Sequence, residues 1–514
     1  MPPIQPTLLF NIPTTAPDDL FDTTTGIGQF LRPPTVVSKV YFDTFDWRLY
    51  TAGYILILCE QSLTLIEITT WQAICSLPWT RKKPPTFVET IPPSALREKL
   101  TSLLAMRSLI PMAQAIFKQQ AVEIKNKDQK TTVRLLFEHI VREEGTEPFQ
   151  NSASIQPLRG YQKNAQKVRN HLLRQGCIAI DHRVAITKLF QEFDCNPGDY
   201  STKITLAITS NRPLLSTAVE LFNSQLAVMR YNETGILEDI DTECLHDFRV
   251  ALRRTRAGLS EIKGIFSTEK TIHFKEILKE LANQTNHLRD LDVYLLKQEY
   301  YKSLLPQQLQ KELGPLFTLL KKERQREKQK ISRLLRSPTY ASIVSQWQEF
   351  LDTVEDRQDD HGPKAQVPTR EQARKYLFKR WRTALKKGRS ITIQSEDKSL
   401  HELRLCCKKL RYMVEFFASL FPQKKINALI RQLKRLQNNL GDFNDLCVQQ
   451  QTLQEYLNTQ MLDATSAVAT AAAIGGLLAG LNREQQKVRK QFAKAFQGFD
   501  HYSTDKRINT LLAT

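Results

Sequence analysis

The eight cysteines of this 514-residue chain include no CxxC pair, which removes the usual zinc-binding and thiol-redox spacings. Cys406 and Cys407 are adjacent inside a helical pattern, unsuited to a disulfide framework, so reduced thiols and a cytoplasmic setting are expected. The opening MPPIQPTLLFNIPTT has neither a basic n-region nor a long apolar h-region, so no signal peptide is expected. Strongly apolar runs of membrane length are also missing. Residues 464–482 carry no charge, but ATSAVATAAAIGGLLAGLN is mostly Ala, Thr, Ser and Gly, too weakly apolar for insertion. That stretch reads as a tightly packed soluble helix, and no membrane partner is expected. Acid is in short supply as well: 54 Asp+Glu face 73 Lys+Arg, a net charge of +19. Such an excess points to polyanionic partners.

The excess is local. Residues 1–200 hold 22 Lys+Arg against 19 Asp+Glu, and the remainder holds 51 against 35. The length predicts two or three domains. Residues 1–200 read as mixed α and β. VVSKVYFDTF and YILILCEQSLTLIEITTW have strand composition, as do QQAVEIKN and KTTVRLLFEHIV, with NKDQK as the hairpin turn between the last two. SALREKLTSLLAM reads as a helix capped by Ser94, and LRGYQKNAQKVRNHLLRQG as a helix ended by Gly176. From about residue 205 the strand signals nearly vanish and helical spacing takes over. Residues 354–370, VEDRQDDHGPKAQVPTR, read as an exposed linker that splits the helical region into similar parts.

Within that region one basic segment occurs twice. HDFRVALRRTR at 246–256 and HELRLCCKKLR at 401–411 share H-[DE]-[FL]-R-x-x-x-[RK]-[RK]-x-R at an offset of 155. A second anchor follows each copy: HLRDLDV at 287–293 and NLGDFND at 439–445 align Asp290 with Asp442 at an offset of 152, and Lys279 aligns with Arg431 at the same offset. Two anchors in one order indicate a tandem duplication. At about 100° per residue, His246, Arg249, Arg253 and Arg256 share an arc of about 80°, beside an apolar face of Phe248, Ala251, Leu252, Thr255 and Leu259. In the second copy His401, Arg404, Lys408 and Arg411 form the ridge, and Leu403, Cys406, Cys407, Leu410 and Val414 the packing face. Arg254 and Lys409 lie off both stripes, within reach of a flanking groove. Each like-charge pair one turn apart costs roughly 0.2–0.5 kcal/mol, so a ridge of this kind, twice over, predicts an anion bound there. A solvated face is the alternative for either segment alone. For His246 and His401 the residues leave ligand contact and a structural role both open. Asp290 and Asp442 read as partners of the motif arginines or as helix caps, in preference to metal ligands.

These paired motifs resemble the CHAD domain, the conserved histidine α-helical domain, over about residues 205–500. LHDFRVALRRTRAGL with HLRDLDVYLL is similar to its first half, and LHELRLCCKKLRYMVEFF with LGDFNDLCVQQQTL to its second. The resemblance implies an all-α domain of two pseudo-symmetric helical-bundle repeats, about 205–353 and 371–500, with a basic cleft or pore between them. It implies binding of inorganic polyphosphate through His246, Arg249, Arg253, Arg254, Arg256, His401, Arg404, Lys408, Lys409 and Arg411, to which the matched Lys279 and Arg431 are added. Gly441 stands where the first copy has Arg289, so the halves need not contribute equally.

Residues 1–200 resemble a CYTH domain, a triphosphate tunnel fold, in YFDTFDWRLYTAGYILIL and in the hairpin LIPMAQAIFKQQAVEIKNKDQKTTVRLLFEHIV. The family's opening ExExK signature is missing: TLLFNIP has no acid and no lysine, and YILILCEQ has no basic residue. A tunnel enzyme needs carboxylates for a divalent metal and cations for the phosphates. The expectation is therefore a degenerate CYTH-like α+β domain without catalysis, metal or cofactor. The expected function is polyphosphate binding in the cytoplasm, with association to polyphosphate granules open. Nucleic-acid binding by the same surface is the second reading, and an N-terminal phosphohydrolase the third.

Overall fold

The computed structural model describes residues 8–13, 29–30, 34–459 and 464–500 and divides into two compact units, Met1–Ser201 and Thr202–Thr514. The first is built on a 10-stranded antiparallel sheet. Its strands are β1 (Leu8–Asn11), β2 (Gln29–Phe30), β3 (Thr35–Asp43), β4 (Tyr54–Cys59), β5 (Ser62–Glu67), β6 (Gln72–Pro78), β7 (Ile110–Lys125), β8 (Thr131–Val141), β9 (Gln150–Pro157) and β10 (Ile178–Ile180). The order is β10-β1-β9-β8-β7-β3-β4-β5-β6, with β2 paired to β7. Alternation along each strand feeds two faces. Ile55 and Ile57 of β4 join Tyr41, Phe117 and Phe190 in one core cluster, while Leu56 joins Phe42, Leu65 and Leu100 in another.

The expected strands and the β7–β8 hairpin form. Its turn is closed by the Asn126 side chain, which accepts the N–H groups of Asp128 (3.0 Å) and Lys130 (2.9 Å). Helix α1 (Ala95–Leu104) starts at Ser94, whose hydroxyl accepts from the Arg97 N–H at 3.2 Å. Helix α2 (Gln162–Arg174) is left through Gly176 at φ 84°, and α3 (His182–Glu192) is capped by Asp181. β9 carries almost no sequence signal, because QNSASIQP is polar and small. It is a strand because β1 and β8 hydrogen-bond to it from both sides.

The second unit is helical: α4 (Leu214–Leu237), α5 (Thr242–Glu261), α6 (Thr268–Gln284), α7 (Asn286–Leu296), α8 (Gly314–Leu335), α9 (Pro338–Thr353), α10 (Thr369–Arg389), α11 (Asp397–Phe416), α12 (Gln423–Thr459) and α13 (Ala464–Phe499), with short turns between α7 and α8. The predicted packing faces are buried: Phe248, Leu252, Leu403, Cys407 and Val414 are all 0 % exposed. No described helix is long and apolar enough to cross a membrane. Within α13, the Ala-rich segment packs Ala473, Ile474, Leu477 and Leu481 against Leu305, Leu313 and Leu446. The eight cysteines are unpaired.

The duplication is visible in the backbone itself. The Leu214 N–H donates to the Val367 carbonyl at 3.0 Å and the Thr369 N–H to the Arg212 carbonyl at 2.9 Å, closing an antiparallel bridge between Pro213 and Pro368. The two donors, Leu214 and Thr369, the two acceptors, Arg212 and Val367, and the bridged prolines are each related by the offset of 155 that relates the two motif histidines, so equivalent segments of the two repeats bond to each other reciprocally. Thr217 and Thr369 extend the contact, hydroxyl to hydroxyl, at 2.8 Å. Only pseudo-two-fold symmetry pairs a segment with its own copy in this way.

The segment 354–370 departs from the exposed linker expected of it. Most of it reaches solvent, but Val354 and Ala365 are buried. Its backbone also bonds to the loop between α5 and α6: the Gly362 N–H to the Ile265 carbonyl (2.9 Å), the Lys364 N–H to Gly264 (2.7 Å) and the Ser267 N–H to Asp360 (2.8 Å). A side chain at Gly362 would place its Cβ 2.5 Å from the carbonyl oxygens of Gly264 and Phe266. Polar composition hides such a docked strap, because its bonds come from the main chain. The repeats also differ in one helix. The first breaks at Thr285 into α6 and α7, whereas the second runs unbroken through the matching Gln437 as α12.

Candidate anion-binding site

The two motif helices cross antiparallel. Going up α5 from Arg254 to Glu261, the partner on α11 falls from Glu415 (3.2 Å) to Lys409 (3.3 Å). These two contacts are near mirror images, since Arg254 and Lys409 are equivalent positions. Each off-stripe cation therefore reaches across to a carboxylate near the end of the other motif helix. Arg254 is 9 % exposed and also donates to the Thr202 carbonyl at 2.6 Å. Glu261 is 6 % exposed and binds Arg380 as well as Lys409. Glu415 also forms an ion pair with Arg411 at 3.4 Å. A groove role expected for Arg254 and Lys409 thus gives way, in large part, to clasping the two repeats together. Desolvated pairs of this kind cost several kcal/mol if one partner is removed.

Other motif cations secure the second anchors. Arg249 donates to the Ala282 carbonyl (3.0 Å), the Thr285 hydroxyl (2.7 Å) and the Asn286 side-chain carbonyl (2.6 Å), which covers the orphan carbonyl end of α6. Burial pulls Arg249 down to about 10, with Asp290 opposing, so it stays a cation at neutral pH. Arg404 pairs with Asp445 at 3.5 Å, and burial lowers it too. His401 contacts the Asn444 amide oxygen at 2.6 Å through Nδ1, while His246 is half-buried. Arg289 pins α7 to the start of α5 through Glu243 at 3.0 Å. At the matching Gly441 there is no such arm, and Arg489 of α13 holds the start of α11 through Asp397 instead. Asp290 is raised by burial, opposed first by Arg249, and Asp442 is raised by burial and by Asp445. No group of His, Cys, Asp or Glu among the described residues is disposed to hold a metal ion.

The remaining cations converge. A cavity of about 350 Å³ opens between α5, α6 and α11, and its charged lining is Arg253 and Arg256, Lys275, Glu276 and Lys279, and Lys408 and Lys409. Six cations from both repeats thus face one carboxylate, and that carboxylate, Glu276, sits on an exposed i,i+3 pair with Lys279 at 3.1 Å. Pairs that exposed contribute little. Arg253 is oriented by a neutral partner, donating from Nε to the Tyr412 hydroxyl at 2.7 Å. Lys408 carries the clearest mark of crowding. Burial, then Arg404 and Arg253, push its ammonium from 10.5 down to about 7, with Asp445 opposing. Like charges brought this close favour an anion that takes their place as counter-charge.

Of the twelve residues expected from sequence, Arg253, Arg256, Lys279, Lys408 and Lys409 line this cavity, and Arg431, His246, Arg249, Arg254, His401, Arg404 and Arg411 are not part of its lining. Lys275 and Tyr412 were not foreseen. Lys275 sits one turn before Lys279 on the same helix face, a spacing that would have exposed it once Lys279 was chosen. In the first unit, the Asp-Thr of YFDT builds a turn. The Asp43 carboxylate accepts the N–H groups of Thr44 (2.7 Å), Leu49 (2.9 Å) and Tyr50 (2.8 Å).

Residues 220–454 match the CHAD domain family. Among solved structures, the chain is similar to the crystal structure of the CHAD domain from the plant Ricinus communis, at 23% identity and a TM-score of 0.46, covering 61% of this chain and 96% of that one. It is also similar to PptA from Streptomyces chartreusis, at 16% identity and a TM-score of 0.43, covering 56% of this chain and 100% of that one. No curated protein matches the chain. The paired basic motifs, the reciprocal bridge between repeats and the family match over 220–454 lead to one conclusion: the helical unit of this chain carries a CHAD domain.

Proposed function

We propose that the helical unit binds inorganic polyphosphate between its two repeats, without catalysis. The observation that carries this reading is the convergence of Arg253, Arg256, Lys275, Lys279, Lys408 and Lys409, drawn from both motif copies, on one cavity. Among the described residues no carboxylate lies within ion-pair distance of Arg253, Arg256, Lys275 or Lys408, although Glu276 adds a favourable field at Arg256 and Asp445 at Lys408. A polyphosphate chain supplies about one negative charge per residue along a flexible backbone, and the cavity asks for nothing more specific. The CHAD match supports the reading at the level of the family. Against nucleic acid, the only aromatic in the lining is Tyr412, which is 2 % exposed, so base stacking is poorly provided for.

The first unit is proposed to be non-catalytic. β1 carries no acid, and Asp43, at the end of β3, is committed to backbone donors. Action in the cytoplasm, on polyphosphate granules or on free chains, belongs to the same proposal. Binding of long-chain polyphosphate is expected to weaken steeply with salt and to be largely lost in the double reversal Arg253→Glu/Lys408→Glu. Unchanged affinity in that variant removes the motif helices from the site. A preference for single- or double-stranded nucleic acid in competition at physiological salt reverses the order of partners. Phosphate release from triphosphate or polyphosphate with magnesium or manganese overturns the non-catalytic assignment.

A further inference from the structure

The pseudo-symmetry makes a strict comparison possible. The cavity lies over α6 of the first repeat, and every one of its residues has a counterpart on the other side of the pseudo-dyad, over α12. On α6 the cavity is lined by Lys275, Glu276 and Lys279. The counterparts at an offset of 152 are Asn427, Ala428 and Arg431, so one of the two cations is lost together with the carboxylate of Glu276. On α5 the cavity is lined by the neutral Ser260. Its counterpart at an offset of 155 is Glu415, whose carboxylate holds both Arg254 (3.2 Å) and Arg411 (3.4 Å). On the side over α6, Arg256, Lys275 and Lys408 therefore line the cavity with no carboxylate in ion-pair distance among the described residues, while on the side over α12 one carboxylate lies within ion-pair distance of two arginines.

Resting on the proposed polyphosphate reading, we infer that the bound chain runs off the motif helices over α6 only. Lys275 and Lys279 hold it there, and Glu415 closes the symmetry-related path over α12. The duplicated domain thus binds its ligand on one side of the pseudo-dyad. Lys275 becomes a binding residue although its repeat-two counterpart is an asparagine. Arg431, matched to Lys279 in sequence, is left off the path. The electrostatic reason is direct: a phosphate approaching Arg411 or Arg254 must displace a carboxylate already in place, whereas one approaching Lys275, Arg256 or Lys408 displaces only water.

The experiment measures polyphosphate affinity against salt for the full chain and for Lys275→Gln/Lys279→Gln, Arg431→Gln and Arg253→Glu/Lys408→Glu. Lys279 and Arg431 are exposed and Lys275 is half-exposed, so the substitutions leave the core untouched. Loss of two phosphate contacts lowers the slope of log affinity on log salt by about 1.4, taking about 0.7 per contact for a single strand. The inference expects that drop in the double α6 variant and an unchanged slope in Arg431→Gln. Equal drops in both, or no drop in the α6 variant, overturn the one-sided path while leaving polyphosphate binding intact. If Arg253→Glu/Lys408→Glu binds like the parent, the polyphosphate reading itself fails, and the path with it.

Discussion

Lys408 provides the sharpest test of the site, because its proton is coupled to the ligand. In the free protein, burial and the facing cations Arg404, Arg253 and Arg411 push its ammonium down to about 7, against the favourable Asp445. A phosphate group in the cavity offsets the field of the arginines and pairs with the ammonium, which raises the group towards its ordinary value of 10.5. Binding above pH 7 must then carry a proton onto Lys408. The free protein is about one-tenth protonated there at pH 8 and about one-hundredth at pH 9, so affinity falls about tenfold per pH unit in that range. The sign for stability is the mirror of this. Between pH 7 and 10.5 the unfolded chain holds the proton and the folded chain does not. The unliganded protein therefore gains stability as pH rises through that window and loses it as pH falls through 7. The assay is polyphosphate affinity from pH 7 to 9 at fixed ionic strength. It is joined by calorimetry at pH 8 in two buffers of different ionisation enthalpy, where uptake of close to one proton is expected. Long chains keep terminal phosphates, which titrate near pH 6, from contributing. Lys408→Arg is the control, since a guanidinium stays charged throughout; its profile should be flat. A parent profile that is equally flat, or a Lys408→Arg profile that falls as steeply as the parent, refutes the coupling.

Four further outcomes follow from individual contacts. Glu261→Ala removes a 6 %-exposed carboxylate shared by Arg380 and Lys409 and should lower stability by about 3 kcal/mol in urea unfolding, a loss typical of an abandoned buried charge. Arg249→Lys gives up the three-acceptor fork on Ala282, Thr285 and Asn286; a loss of about 2 kcal/mol is expected, with the salt slope of polyphosphate binding preserved. Asp43→Ala strands the N–H groups of Thr44, Leu49 and Tyr50 and should cost about 2 kcal/mol or more in the first unit, seen as a lowered unfolding midpoint with polyphosphate affinity unaltered. Gly362→Ala forces a methyl against two carbonyl oxygens and should destabilise the helical unit by about 1–3 kcal/mol, detectable as faster amide exchange at Lys364 and Ser267, whose N–H groups bond across the strap.

Much of the helical unit was legible in sequence, because helical periodicity depends only on neighbours within two turns. The amphipathic stripes of HDFRVALRRTR and HELRLCCKKLR assigned Phe248, Leu252, Leu403 and Cys407 to the core and the basic ridges to the outside, and those core residues are buried. The duplication was legible for the same reason, two ordered anchors surviving at nearly constant spacing. Much less of the first unit could be read: β9 has no strand composition of its own, and it exists only because β1 and β8 bind it from both sides. The strap at 354–370 looked like free linker because its attachment is through main-chain bonds, which residue type does not record.

What the sequence by itself determined was which side chains share a helix face and that the face occurs twice. What only the tertiary structure decided was where each cation is used. Arg254 and Lys409 look like cations within reach of a flanking groove until the antiparallel crossing sets them opposite Glu415 and Glu261, residues 161 and 148 positions away in the chain. Lys279 and Arg431 look equivalent until α6, with Lys275 one turn away, walls the cavity and α12 does not. Charge acts through space and falls with distance, not with sequence separation. A repeated motif can therefore specify two similar ridges while the packing between them settles which of their charges a ligand meets.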